Sequence, residues 1–399
     1  MRKFNQAQSK YYVEIQDLYT PTKSFNGAVT NLNTLLISGG GPDIISFGGV
    51  SPNAYGSRGY LQDIYPLLSN DTVLSKEELL GIEAMESDGK LFSIFPGFSL
   101  NSYGGASSVF ETRTAWSFTE YLKMAEGRPE ANPMVHNITR EIFLKESLRS
   151  YFQDTVNWKN GTCNLDNDAF ITILETAASI EDSPTHLDEE YLGVTDGERI
   201  AAGINVLIPL SLNSVLDLAR LETDAGQRLA IVGWPSIDDR NTSVLSPMCT
   251  LGISSQAENP DGAWQFIRYL LSDEEVQSEI SNNFFPIRKD IFDGQNEVLL
   301  HPFAEFEGQK IIIENGGFWA NGVFYDINYD TTPLVTEAQV KRVLDLINTT
   351  VITANDFDSA VEAIVMEEAS YLFQGVKSAK ECARLIQSRA ALYVAEQSG

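Results

Sequence analysis

YYVEIQDLYTPTKSFNGAVTNLNTLLISGGGPDIISF, residues 11–47, carries the pattern that sets the fold class. Residues 11–18 alternate apolar and polar side chains, the period of a strand with one buried face. From Phe25 the period changes: Phe25, Val29, Leu32, Leu35 and Leu36 recur at three- and four-residue spacing, which is one stripe of a helix. Gly39, Gly40, Gly41 and Pro42 stop it, because glycine accepts the left-handed backbone of a helix end and proline cannot continue the ladder. The apolar run at 43–47 then reads as a short buried strand. Strand, helix and strand in this order predict a parallel crossover, and so an α/β fold.

The same alternation continues outward. Buried-type strands are expected at 91–95, 204–208, 229–232 and 248–253, and the last third reads as almost wholly helical, with apolar stripes near 260–271, 337–348, 358–374 and 379–395. Helix starts are legible from capping chemistry. Ser75 with Glu78, Ser117 with Glu120, Ser272 with Glu275, Thr336 with Gln339 and Ser378 with Glu381 each place a hydroxyl three residues before a Glu or Gln. In that spacing the two side chains satisfy each other's free backbone amides. Asn259 before Pro260 marks another start, and Gly127 and Gly375 mark ends.

A chain of 399 residues is too long for one ordinary core, so two lobes are expected. The chain is expected to pass from one to the other at Thr112-Arg113-Thr114 and to return at 244–247. Each lobe is then discontinuous, with a cleft between them.

Charge excludes several partners. Lys and Arg number 28 against 55 Asp and Glu, for a formal charge of −27. Such a surface repels phosphate backbones and anionic lipid, so no nucleic-acid partner is expected and a neutral or cationic ligand fits. Cys163, Cys249 and Cys382 form no CxxC pair, which leaves zinc-ribbon and thioredoxin readings without support. No apolar run reaches the ~18–20 residues of a membrane span. The start, MRKFNQAQSKYY, has no apolar leader segment; taken alone it reads as cytoplasmic or already processed.

Ordered segments along the chain resemble one family. GGGPDIISF, YLQDIYPLLS and ESDGKLFSIFPGFSLNS are similar to the first lobe of bacterial extracellular solute-binding proteins of carbohydrate ABC transporters, family 1. WSFTEYLKMAEG, VNWKNGTCNLDNDAFITILE and LAIVGWPSIDD resemble second-lobe segments. GISSQAENPDGAWQFIRYLLSDEEVQ and FFPIRKDIFD resemble the return to the first lobe, and EEASYLFQGVKSAKECARLIQSRAALYVAE the C-terminal helices of a Gram-positive subgroup. The resemblance implies a two-lobed periplasmic-binding-protein-like fold of type II, with lobe 1 over 1–112 and 246–305 and lobe 2 over 113–245 and 306–399. It also implies a carbohydrate ligand (an oligosaccharide), hinge closure, delivery to ABC transporter permease subunits, a monomer, no cofactor and no catalysis. Family members carry a lipoprotein signal, an anchor cysteine and a first strand before the region of FNQAQSKYY. An N-terminally truncated chain is therefore expected, whose full-length form is an extracytoplasmic cell-surface lipoprotein.

Ligands of open α/β sheets bind beyond the carboxyl ends of strands. The first-lobe candidates are Phe47, Ser51, Asn53 and Tyr55 after the strand at 43–47, and Phe98 and Ser99, with Pro96 and Asn101, after the strand at 91–95. The second lobe offers Ser211, Asn213 and Trp234, and the GGFWANGVFYD segment adds Trp319, Asn321 and Tyr325. These residue types suit a sugar, whose C–H face packs on aromatic rings and whose hydroxyls need small polar partners. Aromatics are more often core, and Trp264, Trp116 and Trp158 are read as packing residues; Trp234 and Trp319, in glycine-flanked loops, fit ligand stacking and core packing equally.

Other chemistries find less in the sequence. Asp326, Asn328, Asp330 and Glu337 take positions 1, 3, 5 and 12 of a calcium loop, but Thr331 replaces its glycine and Leu334 fills position 9. No metal is expected. His136, His186 and His301 form no HExxH motif, and GFSLN around Ser99 lacks the second glycine of a nucleophile elbow. The alternatives are a binding protein for a peptide, polyamine or other polar solute, with Asp238 and Asp326 as candidate carboxylates for a cation, and a glycan-active enzyme.

Overall fold

A computed structural model describes residues 1–18, 25–126, 134–135, 138–180, 193–301, 303–306, 309–312, 317–320, 323–326, 335–354 and 357–398. Strands and helices alternate along it in a mixed α/β, two-lobed arrangement. Its organising element is the strand Gly97–Ala106, ten residues long. It pairs antiparallel with Leu207–Leu212, Leu229–Ile231, Val244–Pro247 and Phe285–Pro286, and Ile352–Thr353 adds to Val244–Pro247 in parallel. At about 3.3 Å per residue such a strand is long enough to run through two cores. Phe98 and Leu100 join Phe95, Phe285 and Ile347 in one apolar cluster. Tyr103, farther along, packs on a second cluster containing Trp116, Phe143 and Trp234.

This strand was not expected; residues 97–101 read as a ligand loop. Its glycines and its Ser99, Asn101 and Ser102 hide the two-residue period. The glycines have a packing reason. A Cβ on Gly105 would lie 2.3 Å from the Phe110 ring and 2.8 Å from the Val206 carbonyl oxygen. Gly105→Ala is therefore expected to destabilise the protein by about 1–3 kcal/mol through overpacking. Gly48→Ala, which meets open space, is expected to be near neutral. Thermal melts of the two variants check the contrast.

The N-terminal reading needs correction. Residues 11–18 form no strand, and Tyr12 and Ile15 stand 79% and 70% exposed. The segment is held instead by Asn5, whose side chain accepts from the Val13 amide at 2.9 Å and donates to its carbonyl at 2.8 Å. Among the described residues Ile44–Phe47 pairs only with Thr250–Ile253, antiparallel, so the parallel crossover expected there does not form. The helix between, Phe25–Ser38, is as read, and Gly39 takes a left-handed φ of 77° at its end.

Capping boxes form at Ser75, Ser117 and Thr336. Ser378 and Glu381 exchange the same two bonds. Ser272 does not cap: it closes the helix Pro260–Ser272, and the Asp273 carboxylate takes the role by accepting from Val276 N at 3.0 Å. Asn259 caps its helix and Gly375 ends another with φ 71°, while Gly127 lies outside the described residues. The strands expected at 204–208, 229–232 and 248–253 are observed as Leu207–Leu212, Leu229–Ile231 and Thr250–Ile253, whereas at 91–95 only Leu91 lies in a strand, the short Lys90–Leu91, and Ile94 makes a single bridge to Leu251. The last third is not wholly helical: two hairpins, Phe303–Phe306 with Gln309–Ile312 and Gly317–Ala320 with Val323–Asp326, precede the helix Glu337–Thr349. That helix contributes Val343, Leu346 and Ile347 to the cluster of Phe95 and Phe98.

Candidate functional site

A cavity of about 600 Å³ opens on the central sheet. Its floor comes from Asn101, Ser102 and Tyr103 of the long strand and from Ser211, Val244 and Ser246 of its neighbours. The floor is polar and pre-ordered: Asn101 Nδ2 donates to Ser246 Oγ at 2.8 Å, and the hydroxyls of Ser102 and Ser243 are 2.6 Å apart.

One wall is the helix Arg140–Thr155. Its apolar side, with Phe143, Leu144 and Leu148, is buried in the second cluster. Glu146, Arg149 and Ser150 follow at helical spacing and line the cavity. Arg149 Nη1 donates to Glu146 Oε1 at 3.1 Å, and the Tyr103 phenol lies close enough to the Glu146 carboxylate to act on its protonation. Burial pushes the Glu146 carboxyl above its ordinary range, against the opposing pull of Arg149 and Tyr103. Burial likewise raises the Tyr103 phenol, and the Glu146 charge adds to it. The arrangement sets an acceptor and a donor side by side, the complement of two adjacent hydroxyls.

Aromatic rings close the remaining sides. Trp234 and Tyr103 lie 4.8 Å apart, and Phe152 meets Phe357 edge-on at 5.1 Å. The Arg149 guanidinium sits 5.6 Å from the Phe357 ring, which fixes both groups at the wall. Apolar faces and convergent polar groups in one concave space are the chemistry of a small-ligand site.

Of the residues expected to bind ligand, Asn101, Ser211 and Trp234 line this cavity. Trp234 is also core: it is 2% exposed, its Nε1 donates to Ser147 Oγ at 2.9 Å, and Phe143 and Tyr121 pack on it. Phe98 is a correction: it is fully buried between Phe95 and Phe285, away from the cavity. Ser99 pairs with Ser246 within the sheet and is not part of the wall. Asn213 stands at the start of the helix Val215–Asp224, its amide donating to Asp217. Phe47, Ser51, Asn53 and Tyr55 gather elsewhere, around the short helix Pro52–Ser57. There Phe47 packs on Tyr55 at 5.4 Å, and the Tyr55 hydroxyl, pushed up to about 12 by burial, donates to Asn33. Trp319 and Tyr325 fall on the hairpin strands, opposite Phe324 and Phe318, but their side chains, like Asn321, lie outside the described residues.

Tyr103, Glu146, Arg149, Phe152 and Phe357 were missed. The available signal was the polar trio Glu146, Arg149 and Ser150 on a helix whose other face is apolar, a pattern that any exposed helix also carries. Trp116 and Trp264 are core residues, with Nε1 donating to Gly233 O and to Asp71 Oδ2. Trp158 packs on Tyr393. His301 is exposed beside Glu297, whereas His136, His186, Asn328 and Asp330 lie outside the described residues. Among the described residues no group of acids, cysteines and histidines could hold a metal ion, and no helix is long and apolar enough to cross a membrane.

A family model described as bacterial extracellular solute-binding protein matches residues 1–298. Among solved structures, the sugar-binding protein MalE of Xanthomonas citri superposes with a TM-score of 0.57 at 11% identity, covering 99% of this chain and 93% of that one. A chitin oligosaccharide binding protein gives 0.52 at 13% identity, over 99% and 93%. Maltose-bound MalE3 of T. maritima gives 0.52 at 13% identity, over 98% and 94%. No curated protein sequence matches.

Proposed function

Because the chain belongs to the family of bacterial extracellular solute-binding proteins, we propose that it captures a carbohydrate in the cavity beside the central sheet and delivers it to an ABC permease. One observation carries the reading: the Glu146–Arg149 pair stands beside the rings of Tyr103, Trp234, Phe152 and Phe357 in a single cavity. A pyranose offers the matching surfaces, an apolar face for the rings and neighbouring hydroxyls for the carboxylate and guanidinium. A space of about 600 Å³ suits a short oligosaccharide better than a single monosaccharide. The ligand would bridge the lobes and draw an open–closed equilibrium toward the closed state that a permease recognises.

The lobe division belongs to this proposal. We take lobe 1 as 1–112 with 246–305 and lobe 2 as 113–245 with 306–399; the helix Glu337–Thr349 packs on the helix Val215–Asp224 of lobe 2, and its Arg342 pairs with Glu222. An extracytoplasmic monomer anchored as a lipoprotein completes the reading, with no catalytic step.

A thermal-shift screen tests it, with maltose and longer maltooligosaccharides, chitin oligosaccharides, peptides and polyamines. A ligand at 100 times its Kd adds about 2.7 kcal/mol to stability. A shift with one glycan series, and recovery of that glycan uncleaved, is the expected result. A shift with peptides or polyamines alone contradicts the carbohydrate reading, and cleavage of the glycan favours an enzyme.

A further inference from the structure

Three charged side chains line the cavity, Glu146, Arg149 and Asp196, so two carboxylates share the space with one guanidinium. That guanidinium is already engaged: Arg149 donates to Glu146 at 3.1 Å and lies over the Phe357 ring at 5.6 Å. Two cations behind this wall are engaged as well. Lys145, on the same helix, pairs with Glu362 at 3.2 Å. Arg240 donates to the Ser150 carbonyl at 3.0 Å and lies 3.5 Å from the Asp238 carboxylate.

Asp196 is the charge left over. It opens the helix Asp196–Ala201, whose start is capped by its neighbours: the Thr195 amide donates to Glu198 at 2.7 Å and Glu198 N donates to Thr195 Oγ1 at 3.2 Å. Among the described residues the Asp196 carboxylate makes no hydrogen bond or ion pair. Its position is nevertheless fixed. A Cβ on Gly197 would lie 2.5 Å from Asp224 Cβ and 2.8 Å from the Ala225 nitrogen, so this helix start is pressed onto the end of the helix Val215–Asp224. Capping and packing hold Asp196 at the wall, and neither uses its charge.

The charge of the ligand follows from this inventory. An acidic glycan would add a third anion to a cavity whose one lining guanidinium is engaged. A neutral glycan can donate hydroxyls to the carboxylates but leaves the excess charge in place. An ammonium group pairs with a carboxylate through charge-assisted hydrogen bonds, and aromatic faces attract it too. The rings of Tyr103, Trp234, Phe152 and Phe357 supply such faces in the same space. Glu146 keeps room for a further donor, since a carboxylate has about four acceptor sites. The chain's formal charge of −27 acts in the same direction, drawing cations toward the protein.

We propose that the glycan taken into this cavity is an amino sugar with a free ammonium group, which Asp196 pairs with and Glu146 supports, and that acidic glycans are rejected. The inference rests on the carbohydrate reading of the same cavity. Calorimetric titration with three glycan series of equal length tests it: glucosamine oligomers at a pH that keeps their amines charged, the same oligomers N-acetylated, and oligogalacturonates. Wild type is expected to bind the glucosamine series about ten-fold or more tighter than the acetylated one, the ratio of one charge-assisted hydrogen bond, and to give no heat with oligogalacturonates. Asp196→Asn is expected to abolish the preference, and added salt to reduce it in wild type. The wild-type comparison needs no variant, so it decides even if circular dichroism shows that Asp196→Asn fails to fold. Equal or tighter binding of the acetylated or acidic series overturns the inference and leaves the carbohydrate reading standing, as does a preference that persists in folded Asp196→Asn. Heat from spermidine with none from any glycan series overturns both.

Discussion

Trp234→Ala is expected to cost the fold about 3–5 kcal/mol, with or without ligand. The indole is 2% exposed and meets Tyr103, Tyr121 and Phe143, so truncation leaves a cavity between three rings that cannot all move into it. It also leaves the Ser147 hydroxyl without the indole N–H that donates to it. Trp234→Phe keeps most of the packing and loses that bond, and is expected to cost less. Chemical denaturation of the three proteins checks the order. If Trp234→Ala melts like wild type and only ligand binding falls, the residue is a stacking platform and not a core element.

Glu146→Gln is expected to act in the opposite sense on stability and more strongly on binding. Burial raises the Glu146 carboxyl in the folded protein, so folding favours its protonated form. The contribution of this group to stability is therefore greatest at low pH and is lost as pH rises through the raised folded value. At neutral pH the buried charge opposes folding, and the neutral glutamine removes that cost. Carboxylates held low by partners, such as Glu120 with its Ser117 amide and Glu368 with Lys377, act the other way, losing their contribution as pH falls. The difference between wild type and Glu146→Gln, followed against pH, isolates the one group: it is expected to favour the variant above the raised value and to vanish below it. For binding, a hydrogen bond to a charged group contributes about 1.5–3 kcal/mol, so glycan affinity is expected to fall about ten- to hundred-fold. A variant that binds as wild type does would remove Glu146 from the site.

What the sequence disclosed was local. Capping boxes at Ser117, Thr336 and Ser378, the proline start at Pro260 and the glycine end at Gly39 depend on residues three or four apart, and they lie where the spacing placed them. Ser272 failed because Asp273, one residue on, offers a carboxylate to the same helix start. The central strand was hidden because Gly105 answers to Phe110 and Val206, Gly104 to Leu210 and Gly97 to Ile280, contacts that no local period reports. The same holds for the site. Trp234 was legible as an aromatic in a glycine-flanked loop, yet its dual place in core and cavity wall follows from a helix about ninety residues earlier in the chain. Glu146 and Arg149 look like any solvated pair on a helix, and only the sheet facing them, with Tyr103, gives them a cavity. Ser51 and Tyr55 were read as ligand residues from a loop after a strand; the fold sets Ser51 at the start of the short helix Pro52–Ser57 and packs Tyr55 on Phe47.

The most direct measurement is a calorimetric titration of wild type and Glu146→Gln with the glycan that shifts the melting midpoint. The account predicts one site per chain in wild type, intact glycan recovered afterwards, and binding weakened about ten- to hundred-fold in the variant. Equal binding by both proteins, or no heat from any glycan with wild type, would contradict it.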